Sequence, residues 1–139
     1  QRCLENTSHK IYYNGDITTL AGFNEMQERF PNIDHWMIGR GLIADPFLPM
    51  MIKNQQAHYP ENRLEVFSKF HDTLFSEFEQ SLSGAKHITL KMLHYWEYFV
   101  QTFNNPKKVV KKIKKANTIA AYDQAVREIL EAEQELAMY

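Results

Sequence analysis

Two short runs of strand-forming residues, 10–13 (Lys-Ile-Tyr-Tyr) and 35–38 (His-Trp-Met-Ile), each end in a glycine-containing tripeptide, Asn14-Gly15-Asp16 and Gly39-Arg40-Gly41. Between them Leu20, Phe23, Met26 and Phe30 recur at three- and four-residue spacing until Pro31 and Asn32 stop the pattern, which predicts an amphipathic helix over 18–30. Strand, helix and strand within about 30 residues is the size of one βαβ unit. Its two strands run parallel, so the tripeptides that follow them leave from the same end of the pair.

The remainder reads as helix. Pro46 and Pro49 open a short one through Met50, Met51 and Ile52, and the polar stretch 54–62 looks like a connection, so the sequence divides into 1–53 and 54–139. Leu64, Phe67, Phe70, Leu74, Phe75, Phe78 and Leu82 form one helical stripe, with Ser83 and Gly84 as its C-terminal cap. A second helix over 86–103 has a broader apolar surface of Ile88, Leu90, Leu93, Trp96, Phe99, Val100 and Phe103. Asn105 and Pro106 then open a lysine-rich helix. Asn117 or Thr118 caps a last one whose inner face is Tyr122, Val126, Ile129, Leu130 and Leu136. The fold class expected is mainly α: a βαβ unit followed by four antiparallel helices in a bundle.

With 44% hydrophobic residues and only five Gly and five Pro in 139, the chain can bury a core and does not read as disordered. The single Cys3 has no partner for a disulfide or a zinc site, and the six histidines show no ligand spacing, so no metal is expected. No apolar run reaches the roughly 18–20 residues of a membrane span, and a reducing cytoplasm is the expected setting. The chain opens on Gln1 with no linker composition ahead of its first apolar stretch, which reads as a start inside a larger protein.

Asn-Gly is also the strongest short hairpin-turn signal, so the first tripeptide says little alone. The arrangement says more. In a (β/α)8 barrel the loops after the last two strands commonly form a phosphate site, where glycine lets backbone N–H groups approach the anion. Arg40 can offer a planar fork of donors to phosphate oxygens. Asp16 would repel a phosphate and is expected to cap the following helix or to accept from a cofactor hydroxyl.

The segments Tyr-Asn-Gly-Asp-Ile (13–17) and Trp-Met-Ile-Gly-Arg-Gly-Leu-Ile-Ala-Asp-Pro-Phe (36–47) resemble the paired signature that ends the TIM barrel of the tRNA-dihydrouridine synthases. The likeness covers about residues 10–52. It extends more loosely over the helical remainder, where the family also carries an all-helical domain and where Leu-His-Tyr-Trp-Glu-Tyr (93–98) is similar to an aromatic segment. The resemblance implies a flavoprotein oxidoreductase that reduces the 5,6 double bond of uridine in tRNA, with FMN reduced by NADPH. It implies that Asn14, Gly15 and Asp16 line one side of the FMN phosphate and ribityl region, with Gly39 and Arg40 gripping the phosphate from the other. Gly41 serves the backbone turn. The family's catalytic cysteine lies earlier in the barrel, so no catalytic residue is expected here, and Cys3 is given no role.

Lys107, Lys108, Lys111, Lys112, Lys114 and Lys115 place six positive charges within nine residues of a chain whose net charge is −1, leaving −7 to the rest. Such a run can be a solvated helix face. With tRNA as substrate it is instead expected to touch the RNA backbone, because lysine neutralisation of phosphates dominates nucleic-acid affinity. Trp96 and Phe99 are expected in the core rather than on bases. Two strands cannot close a barrel, so this portion alone should bind FMN weakly or not at all, and should be loosely ordered or shielded by the bundle or by self-association. Two other readings stay open: a non-enzymatic helical module binding RNA or protein, and an FMN barrel oxidoreductase acting on a small molecule.

Overall fold

The computed structural model describes residues 7–137; Cys3, for which no role is expected, lies outside them. In chain order the elements are β1 (Tyr12–Asn14), α1 (Leu20–Arg29), β2 (His35–Met37), α2 (Arg40–Ala44), α3 (Leu48–Asn54), α4 (Arg63–Ser81), α5 (Ala85–Phe99), a 3-10 turn (Val100–Thr102), α6 (Pro106–Lys114) and α7 (Ile119–Ala137). The described part is mainly helical with one two-stranded parallel sheet, and it separates into two compact units between His58 and Tyr59.

In the first unit β1 and β2 pair in parallel, Tyr12 opposite His35, Tyr13 opposite Trp36 and Asn14 opposite Met37. Side chains alternate across a sheet, so Tyr13 and Trp36 share one face. Their rings lie 5.1 Å apart, with Phe23 at 5.2 Å from Trp36 and Phe30 at 5.4 Å from Tyr13. The Tyr13 hydroxyl adds a 3.2 Å hydrogen bond to the Met26 sulfur. The helical stripe of α1 therefore covers that face. Tyr12 and Met37 point the other way and are exposed.

The strands are shorter than the apolar runs because only three residues of each oppose the other. The helix begins at Leu20, the first residue of its apolar pattern and two residues after the expected start at 18, because Thr19 is extended and its hydroxyl accepts from the Gly22 amide at 3.0 Å, a side-chain N-cap. The tripeptide at 39–41 is not a simple loop. Arg40 starts the short helix α2, and the buried Asp45 ends it, its carboxylate accepting from the Phe47 amide at 2.9 Å.

The second unit packs α4, α5, α6 and α7 around a core in which Trp96, Phe99, Met92 and Tyr122 are completely buried. At its centre the Tyr122 hydroxyl accepts from the Trp96 indole N–H at 2.8 Å and lies 2.7 Å from His71 Nε2. Phe75 stacks on the Tyr122 ring at 5.3 Å, and Phe67 meets Trp96, Phe99 and Phe103 edge-on within 6 Å. Three polar groups are thus satisfied inside an aromatic cluster, as buried polar groups must be. Nearby the buried Glu133 carboxylate accepts from both the backbone and the side-chain amide of Asn104 at 2.8 Å, which ties the turn before α6 to α7.

Several expectations need correction. Leu136 is exposed, because the last buried position of α7 is Glu133 one turn earlier; Leu90 and Phe70 are exposed as well. Gly84 does not close α4. Leu82 ends that helix, and Gly84, at φ +91, opens α5. The second long helix stops at Phe99 and tightens into the 3-10 turn, with Phe103 turned back into the core.

Tyr122→Phe keeps the ring and removes the shared oxygen, leaving His71 and Trp96 nitrogens buried without partners. It should lower stability by about 2 kcal/mol, read as a shift in urea midpoint. Burial holds the His71 pKa below the ordinary histidine value, against the hydrogen bond and charge of Asp72 and the charge of Asp123. Between that lowered value and about 6.5 the unfolded chain binds a proton that the folded one does not. Stability should therefore fall as pH drops below about 6.5, and this part of the loss should disappear in His71→Leu.

Candidate functional site

The parallel pairing determines where the two tripeptides lie. Asn14 and Met37 are the last paired residues, so Gly15 and Asp16 leave the sheet at the same end as Ile38, Gly39 and Arg40. Asn14, Gly15, Asp16, Met37, Gly39, Arg40 and Gly41 together line one depression of about 460 Å³. All five residues anticipated around a cofactor phosphate are among them, and Met37 joins from the strand end.

Below this depression the backbone is tightly built. Ile17 is buried, and its carbonyl oxygen lies so close to Gly41 that any Cβ there would overlap it. Gly41 is therefore what lets the loop after β1 rest on the start of α2. Gly39 has nothing within 4 Å of where a Cβ would stand; its side faces open space.

Asp16 does not cap α1, a role taken by Thr19. Its carboxylate forms an ion pair with the Arg40 guanidinium, both side chains being well exposed. Such a pair adds little stability in water, but it holds the guanidinium over the depression. A guanidinium has five N–H donors in a rigid fork, so one edge can stay on Asp16 while another takes an anion. What the arrangement offers is one cation, the backbone of the loop after β1 and of the start of α2, and a neighbouring carboxylate able to accept from a hydroxyl.

In the second unit α6 buries Val109 and Ile113 and turns its lysines outward. Lys107, Lys111, Lys114 and Lys115, with Pro106 and Val110, line a shallow depression of about 500 Å³. The lysines are not equivalent. Lys112 pairs with Glu128 on α7, whose carboxyl is held below its usual range by the hydrogen bond from Lys112 and then that from Gln124. Lys114 has Glu97 at 3.9 Å. Lys107, Lys108, Lys111 and Lys115 make no ion pair among the described residues. Sequence spacing could not separate these two groups, because Glu128 and Glu97 lie on other helices.

Among the described residues no group of three or more His, Cys, Asp or Glu side chains could hold a metal ion, and no helix is long and apolar enough to cross a membrane. Compared with models of protein families and with curated protein sequences, the chain matches none.

The two glycines should respond oppositely to one methyl group. Gly41→Ala must displace the Ile17 carbonyl and should destabilise the first unit by roughly 1–3 kcal/mol, whereas Gly39→Ala should be tolerated. Limited proteolysis within residues 7–58 checks this, and equal resistance of both variants would contradict the close packing.

Proposed function

We propose that this chain is the end of the barrel and the helical domain of a flavin-dependent tRNA-dihydrouridine synthase. The enzyme reduces the uridine 5,6 double bond in tRNA with FMN as carrier and NADPH as reductant. The observation that carries the proposal is the convergence of Asn14, Gly15 and Asp16 with Gly39 and Arg40 on one depression at one end of a parallel strand pair. Those residues are also the ones through which the sequence resembles the family.

In this reading β1 and β2 are the last two strands of a TIM barrel, a form in which the loops after the final strands commonly hold phosphate. Arg40 grips the FMN phosphate with loop amides around it, and Asp16 keeps the guanidinium in place and accepts from the ribityl chain. The exposed face with Tyr12 and Met37 is then the side that the other barrel strands cover. The isoalloxazine ring and the proton donor to uridine belong to those strands, so the chain alone is inactive and holds FMN weakly.

The second unit grips tRNA without reading its sequence. Lys107, Lys108, Lys111 and Lys115 meet RNA phosphates, while Lys112 and Lys114 contribute after releasing Glu128 and Glu97. Flipping the target base out of its stack costs a few kcal/mol, and a firm hold on the RNA body offsets that cost.

Two measurements test the two halves. In the full-length enzyme Arg40→Ala should weaken FMN binding by about tenfold or more, followed by flavin fluorescence; unchanged affinity removes the phosphate role. Lys107→Glu with Lys111→Glu should weaken tRNA binding by at least about tenfold and reduce its salt dependence by about one unit of slope per lost phosphate contact. A binding curve indifferent to substitution and to salt removes the docking role.

A further inference from the structure

We propose that the hollow between α5 and α6 takes one unpaired base of the bound RNA; this rests on the RNA-docking reading above. The hollow measures about 260 Å³ and is walled by Leu90, Leu93 and Ile113, with Thr89 and Asn117 at its polar side. Two cations also line it, Lys86 and Lys114, the latter with Glu97 at 3.9 Å. Lys114 also borders the shallow lysine depression of α6, so the hollow continues the basic face rather than standing apart from it.

Three features favour a base as occupant. Leu90 is 47% exposed, in the middle of a helix whose other large apolar side chains are buried or half-buried. It leaves an apolar wall in a hollow that two lysines also line. The space is smaller than the roughly 300–1,000 Å³ of pockets for drug-sized ligands, which suits a single planar ring and not a peptide helix.

The third feature is Asn117. Thr118 is the residue that caps α7, its hydroxyl accepting from the Ala121 amide at 3.1 Å. The Asn117 carboxamide makes no hydrogen bond among the described residues. It holds an adjacent donor and acceptor, the pairing that reads a base edge. The site then divides its work: Leu90 and Leu93 lie against the face of the base, Asn117 meets its edge, and Lys86 and Lys114 take the phosphates on either side. Bases inside a duplex are stacked and cannot enter, whereas unpaired loop nucleotides can be splayed into such a site.

The test uses the full-length protein with two probes, a tRNA transcript and a fully paired RNA duplex. Leu90→Ala and Asn117→Ala alter exposed side chains, and circular dichroism confirms that each variant is folded. Each should weaken tRNA binding about tenfold, through lost apolar burial in one and a lost base-edge contact in the other, with an unchanged salt slope and unchanged duplex affinity. Lys107→Glu with Lys111→Glu should weaken both probes. If the two single variants bind tRNA like the parent while the lysine variant does not, the hollow holds no base and the docking reading stands. If the lysine variant also binds normally, both fall. Equal weakening toward duplex would make the hollow a backbone contact and overturn the base assignment. So would loss of binding to an acidic amphipathic peptide in Leu90→Ala with tRNA affinity unmoved.

Discussion

Three parallel residue pairs between β1 and β2 determine everything that follows in the first unit. A parallel pair cannot be joined by a tight turn; it needs a crossover, and α1 supplies one whose apolar stripe covers Tyr13 and Trp36. Because the strands run the same way, the segments leaving them meet at one end. Gly41 then lets α2 close against the Ile17 carbonyl, and this brings Arg40 within reach of Asp16. An antiparallel hairpin built from the same runs would have put the two glycine tripeptides at opposite ends. The anion site of the proposed enzyme thus depends on strand direction before it depends on any single side chain.

The second unit is held by a different device. Its centre is aromatic, yet it contains a phenol, an indole N–H and an imidazole that satisfy one another around the Tyr122 oxygen. Such an arrangement fixes the mutual position of α4, α5 and α7 more sharply than apolar packing alone, since a small displacement leaves a polar group without a partner. The Asn104 and Glu133 contact does the same for the turn that leads into α6. The lysine helix is thereby presented on a rigid support, anchored by Val109 and Ile113, while Val110 lies in the depression that the lysines line.

Much of this was legible in the sequence because the signals were local. The three- and four-residue periodicity located α1 and α4, and the buried positions of Trp96 and Phe99 followed from helical spacing. What escaped was of two kinds, local capping that periodicity does not register and contacts between distant residues. The Thr19 cap starts α1 at Leu20, and the segment after Gly39, which reads as a loop, is the short helix α2. Leu136 lies past the end of the core that its spacing implied. Asp16 was expected at a helix start or a hydroxyl, and its pairing with Arg40, 24 positions away, has no signature in spacing. The same holds for Glu128 on Lys112, and for His71 with Tyr122, 51 positions apart.

The central claim is that one phosphate sits between the loop after β1 and the start of α2. A crystal structure of the full-length protein with FMN tests it most directly. Phosphate density is expected within hydrogen-bond distance, about 3 Å, of the Arg40 guanidinium and of backbone amides after β1 and at the start of α2. Flavin bound with its phosphate elsewhere, or Arg40 still paired only with Asp16 in the occupied protein, would contradict it.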